Sequence, residues 1–117
     1  GGWTYAAMQG KSSLGTRVES QAPGRTALLA PWPNPVRGTD HAALEYSLAE
    51  RGAVELAIFG VDGRRVRVLV REERAAGVYR EGWDGRDESG QASASGVYYA
   101  RLVAGGRQFR QKLVRIH

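Results

Sequence analysis

The residues best suited to chemistry sit in one acidic, Gly-rich stretch. Asp84, Asp87 and Glu88 lie within a few positions of one another, among Gly85, Ser89 and Gly90. Clustered carboxylate oxygens on a turning backbone are the donor set of a calcium site. The spacing is not that of an EF-hand, because Arg86 stands where an oxygen ligand is needed. The three acids are therefore weak calcium candidates, with turn and capping duty as the plainer reading. Glu72-Glu73 could do acid–base work inside a pocket, but the pair reads as a solvated connection between strands. His41 falls in a polar turn and His117 is the last residue; neither has the cluster spacing of a metal site or of a Ser/His/Asp machine. Gly105-Gly106 reads as a hairpin turn, since no phosphate-loop spacing surrounds it. The chain has no cysteine, which removes thiolate metal ligands, disulfides and a cysteine nucleophile. No catalytic or cofactor-binding residue, and no cofactor, is expected.

Composition narrows the classes further. A chain of 117 residues is enough for one domain and short for two. Hydrophobic residues at 42% and charged residues at 25% suit a globular domain, and do not suit a disordered, collagen-like or coiled-coil chain. No run approaches the roughly 18 apolar residues of a membrane-spanning helix. Lys and Arg number 17 against 12 Asp and Glu, for a net charge of +5. Only Lys11 and Lys112 are lysines; the other basic residues are arginines. Such a chain raises nucleic acid as a partner. The basic residues, however, alternate with apolar ones through 64–71 and 107–115, as on a solvated sheet face. No recognition helix or base-stacking motif accompanies them, so nucleic acid is not expected.

The elements that hold these residues read as strands. The 16 glycines favour turns and short strands over long helices. Thr26–Ala30 is a short apolar run stopped by Pro31, Pro33 and Pro35, a stretch unsuited to helix or inner strand. Alternation then marks Leu44/Tyr46/Leu48, Val54/Leu56/Ile58 and Val66/Val68/Val70, with Asp62-Gly63 turning the last two into a hairpin. Val78–Trp83 is the next strand, followed by a loop over 84–96. Val97–Val103 and Phe109–Ile116 form a closing hairpin, the latter with an ambiguous inward face. About seven short strands at this spacing predict an all-β, Ig-like antiparallel β-sandwich. Trp83 is placed to plug one end of it. Asp84 and Gly85 begin a turn, Gly96 permits close approach, and Tyr98 and Tyr99 point to opposite faces.

In order, Pro33-Asn34-Pro35, Leu44–Leu48, Val54–Phe59, Asp62-Gly63, Ala76-Gly77, Trp83–Asp87, Gly90, Ser95–Tyr99 and Lys112–Val114 form a series. That series resembles the Ig-like module related to the flagellar hook-capping protein. It is also similar to the type A C-terminal sorting domains of type IX secretion. The resemblance implies that Pro33, Asn34, Pro35, Gly63, Trp83, Asp84, Gly85, Gly96, Tyr98 and Lys112 are structural motif positions. It implies a non-catalytic sorting, anchoring or spacer module of an exported or cell-surface protein. Sorting domains commonly finish on a Lys-rich strand, whereas this chain finishes Lys112-Leu113-Val114-Arg115-Ile116-His117.

Residues 1–25 differ from the rest. The chain opens Gly1-Gly2-Trp3 without Met and reads as a processed product or a piece of a longer chain. Trp3–Met8 alternates like a short strand, and 9–25 is Gly/Ser/Gln/Pro-rich like an arm or linker. The domain expectation is an arm over 1–25 and a sandwich over 26–117. Trp3, Tyr5 and Trp32 are the candidate docking aromatics, since exposed rings on an arm call for a surface to cover them. Two partner classes follow: export machinery or a surface anchor, and a neighbouring subunit that accepts the arm by strand addition, giving a homo-oligomer or filament. Carbohydrate binding through Trp32 is a third reading with no specific motif.

Overall fold

The computed structural model describes residues 24–117. The expectations for Trp3, Tyr5 and the body of the arm lie outside them. Alternation of apolar and polar side chains yields eight strands: β1 (Ala27–Leu28), β2 (Val36–Arg37), β3 (Ala42–Leu48), β4 (Gly52–Gly60), β5 (Arg65–Arg74), β6 (Gly77–Trp83), β7 (Gly96–Ala104) and β8 (Arg107–Ile116). They form a three-stranded sheet in the order β1-β3-β6 and a five-stranded sheet in the order β2-β8-β7-β4-β5. The two sheets face each other across one core, in which Leu44, Tyr46, Leu56, Ile58, Trp83, Leu102 and Leu113 are fully buried. This is the expected all-β sandwich.

Three details depart from the sequence reading. The described residues hold eight strands rather than seven, because Val36-Arg37 pairs parallel with Arg115-Ile116, the one parallel pairing among the described strands. Two residues after a proline carry no alternation to read. Second, Glu72 and Glu73 are not in a connecting loop: β5 continues through them, opposite Val54 and Ala53 of β4. Only Ala75-Ala76 joins β5 to β6. Third, β8 resolves its parity in favour of Phe109, Gln111, Leu113 and Arg115, so an arginine stands on the inward face.

Both expected hairpins form. At the β4–β5 turn the Gly60 amide donates to the Arg64 carbonyl (2.9 Å) and the Asp62 carboxylate accepts from the Arg64 amide (3.0 Å). Gly63, at φ +86°, takes the left-handed position that this turn requires. At the other, Ala104 pairs with Arg107 across Gly105-Gly106.

Candidate interaction surface

The acidic stretch lies in the long loop between β6 and β7, where Asp84 and Asp87 accept from the loop's own amides and Glu88 from β5. Asp84 Oδ1 accepts from the Arg86 amide (3.0 Å) and from Arg67 (3.2 Å). Asp87 Oδ1 accepts from the Ser89 amide and hydroxyl and from the Gln91 amide, at 2.7–3.0 Å. The Ser89 hydroxyl, with backbone donors behind it, outweighs desolvation and holds the Asp87 carboxyl below its ordinary range. Glu88 faces a different neighbour: its amide donates to the Val66 carbonyl (3.0 Å) and its carboxylate accepts from the Val68 amide (2.9 Å). The three acids thus answer three separate sets of donors. Among the described residues no three His, Asp or Glu side chains gather as a metal would need. Glu88 instead occupies the start of the outer edge of β5, at Val66 and Val68.

The remaining motif residues fasten the same end of the sandwich. Trp83 is buried, its indole N–H donates to the Arg86 carbonyl (2.9 Å), and its ring meets Tyr98 edge-on at 5.3 Å. The Tyr98 hydroxyl turns back to the Ala94 carbonyl. Beneath them lies Arg115, 4% exposed, donating to the carbonyls of Ser93 and Gly38 (both 3.2 Å). Gly85, at φ +80°, packs directly on this guanidinium, so that a Cβ there would overlap it. His117 closes the corner with its ring nitrogen 2.9 Å from the Ser93 carbonyl. His41 is exposed near Gly82.

Asn34 works on the opposite edge. Its carboxamide donates to the Lys112 carbonyl (3.0 Å) and accepts from the Val114 amide (2.9 Å), occupying the rim of β8 just before β2 takes over. Lys112 contributes its backbone to this and leaves its side chain exposed. Both flanking X–Pro bonds, at Pro33 and Pro35, are cis. Sequence reasoning misses Arg115; the parity conflict in Leu113-Val114-Arg115-Ile116 is its only signal.

What remains open to a partner is the outside. The five-stranded sheet ends in β5, where Glu88 meets the backbone of Val66 and Val68, and in the two-residue β2. The small sheet ends in the two-residue β1 and in β6, which has seven residues and no neighbour beyond it among the described strands. Ala43 and Glu45 direct their backbone groups toward Trp32 and Leu29, so the alternate residues of β3 bond β6. By the antiparallel register, Val78, Arg80 and Gly82 then aim their amides and carbonyls outward from the free edge. Val78 on this rim is 62% exposed, while Trp32, 75% exposed, bridges Ala43 from the far side of β3 and belongs to the β1 edge.

The seam between β5 and β6 is closed by Arg74. It donates to the Tyr46 hydroxyl and Glu81 (2.9 Å each) and to Glu72 (2.8 Å), and its guanidinium lies 4.9 Å from the centre of the Tyr79 ring. Tyr79 stacks on Tyr46 at 5.4 Å. Burial works against the Arg74 charge, but the bonds to Glu72 and Glu81 outweigh it and hold the cation more firmly than usual. Burial likewise pushes the Tyr46 phenol up.

An Ig-like sandwich of eight described strands, with Trp83, Asp84 and Tyr98 turned onto the β6–β7 loop, is the class of protein defined here. The sequence profile of the FlgD Ig-like domain matches residues 34–107, and the chain belongs to that family. No curated protein matches it. Among solved structures, the chain is similar to PorZ, a bacterial surface component of the type IX secretion system of Porphyromonas gingivalis. The TM-score is 0.50 at 21% identity, covering 79% of this chain and 11% of PorZ. It is similar to FlgD of Pseudomonas aeruginosa, with TM-score 0.52 and 23% identity over 81% of this chain and 74% of that one. The alkylpurine DNA glycosylase AlkC of Pseudomonas fluorescens, bound to DNA containing an abasic site analogue, gives 0.53 and 14% over 80% and 31%. At these identities the likeness is one of fold, and the chain spans only a small part of PorZ.

Proposed function

We propose that this chain is a non-catalytic docking module of an exported or cell-surface protein, with residues 26–117 as the sorting or anchoring domain and residues 1–25 as its tether. The observation that carries the reading is the seven-residue β6 at the end of the small sheet, which has no neighbour beyond it among the described strands and carries the exposed Val78. Unpaired strand edges are templates for another strand, and soluble domains usually blunt them. Membership of the FlgD Ig-like family and the fold shared with a type IX surface component support the setting. The test is to fuse residues 26–117 to the C-terminus of a reporter in a bacterium with a type IX apparatus. Reporter at the cell surface, lost when Arg80→Pro blocks the β6 edge, supports the reading; reporter retained inside the cell sinks the sorting role.

A second reading has the arm of one copy, through Trp3 and Tyr5, adding to β6 of the next. Light scattering of the full chain over a range of concentrations tests it. A mass that grows with concentration and stays monomeric in Arg80→Pro supports self-assembly. A constant monomer mass leaves the edge to a different protein.

A further inference from the structure

The positive charge of the described residues is not spread evenly over the sandwich. On the outer face of the five-stranded sheet, Ala57, Arg101 and Arg110 stand in one cross-strand row, and Phe59, Tyr99 and Lys112 in the next. Arg65 lies opposite Phe59 at the end of the second row. The Arg101 guanidinium covers the Phe59 ring at 4.4 Å and that of Arg110 lies 5.7 Å from the centre of Tyr99. The ion pairs among the described residues take up Arg51, Arg67, Arg71, Arg74 and Arg80 and leave out Arg65, Arg101, Arg110 and Lys112. The acid in the adjoining row, Glu55, is paired with Arg71. The opposite sheet differs: its exposed cation, Arg80, is matched by Glu45.

We infer that this face docks an acidic segment of a partner protein. Four cations with no carboxylate of their own call for an anion. Two of them are guanidiniums placed over aromatic rings, at 4.4 Å for Arg101 and 5.7 Å for Arg110, and guanidiniums are suited to pair carboxylates. The aromatic rings argue against a nucleic acid. Single strands bind by stacking bases on open rings, and here guanidiniums lie over Phe59 and Tyr99. The inference rests on the docking reading only in taking the partner to be a protein, and it uses the sheet face rather than the β6 edge.

The experiment uses the full chain and a fluorescent ten-residue glutamate peptide, followed by anisotropy at low and physiological salt. Arg110→Gln with Lys112→Gln is compared with Arg51→Gln with Arg80→Gln, which removes the same charge elsewhere. The expected result is a salt-sensitive complex weakened about tenfold by the first pair and at most about twofold by the second. Equal losses from both pairs would mean net charge alone, and would overturn the inference. So would the absence of binding at low salt. Tighter binding of an oligothymidylate of equal charge, lowered by Tyr99→Ala, would assign the face to nucleic acid instead. None of these results bears on export of the reporter fusion, so the two readings fail separately.

Discussion

Gly85 and Arg115 share a corner so closely that no side chain fits between them: a Cβ on Gly85 would fall inside the buried guanidinium. The charged end of β8 is held under the β6–β7 loop by that contact and by the Ser93 and Gly38 carbonyls. Gly85→Ala therefore meets two penalties, the left-handed backbone and the overlap, and should destabilise the domain by roughly 2–4 kcal/mol. Gly63→Ala isolates the first. Its φ is similar at +86° and nothing lies within 4 Å of the added methyl, so about 1–2 kcal/mol is expected. Urea midpoints measure both. Equal losses would mean that the packing on Arg115 contributes nothing.

Asn34 imitates a strand backbone with its side chain, and substitution can separate its two bonds. Asn34→Ala loses both, at about 1 kcal/mol on an exposed edge. Asn34→Asp keeps the acceptor for the Val114 amide but sets a carboxylate oxygen against the Lys112 carbonyl. The aspartate variant should thus be no more stable than the alanine one, while the Val114 amide stays protected from hydrogen exchange only in the aspartate. Unchanged exchange at Val114 in both variants would show that β2 alone secures this edge.

How far the sequence could be read follows from which residues obey alternation. Leu44/Tyr46/Leu48 and Val54/Leu56/Ile58 bury alternate side chains, so β3 and β4 were plain. β8 was ambiguous because Arg115 takes an inward position where the pattern needs an apolar residue. β2 is invisible in the sequence because its partner is parallel and distant along the chain. The end of β5 reads as a loop because Arg71, Glu72, Glu73 and Arg74 look solvated. They are charged because they run along a sheet edge, which does not stop the strand. Asp84, Asp87 and Glu88 could be counted from the sequence, but which backbone amides they would meet could not.

Arg74 is the residue whose loss should open the seam between the sheets. Arg74→Ala would leave the buried Tyr46 hydroxyl and the half-buried Glu81 without their donor, at about 1–3 kcal/mol. Arg74→Lys keeps the charge but loses the planar fork and the stacking on Tyr79, so it should fall between wild type and alanine. The companion Tyr46→Phe separates the hydroxyl from the ion pair. If Arg74→Ala is as harmful in the Tyr46→Phe background as alone, the Tyr46 bond is not part of the seam. Thermal unfolding of the four proteins supplies the comparison.

The Asp87 turn should loosen in acid. Its carboxyl is held below the ordinary range by the Ser89 hydroxyl, aided by backbone donors at Ser89, Gly90 and Gln91, against the opposing effect of desolvation. A carboxyl with a depressed folded-state pKa stabilises fully above the unfolded value, about 3.9 for aspartate, and that stabilisation is lost as pH falls through the lower folded value. The Ser89 and Gln91 amides should therefore keep their protection at neutral pH and lose it only on acidification below pH of about 4. Asp87→Asn removes the ionisation and should flatten this dependence while leaving the β7–β8 ladder protected. Amide NMR over an acid titration reads each position separately. An unchanged acid transition at Ser89 and Gln91 in the asparagine variant would move its origin away from Asp87.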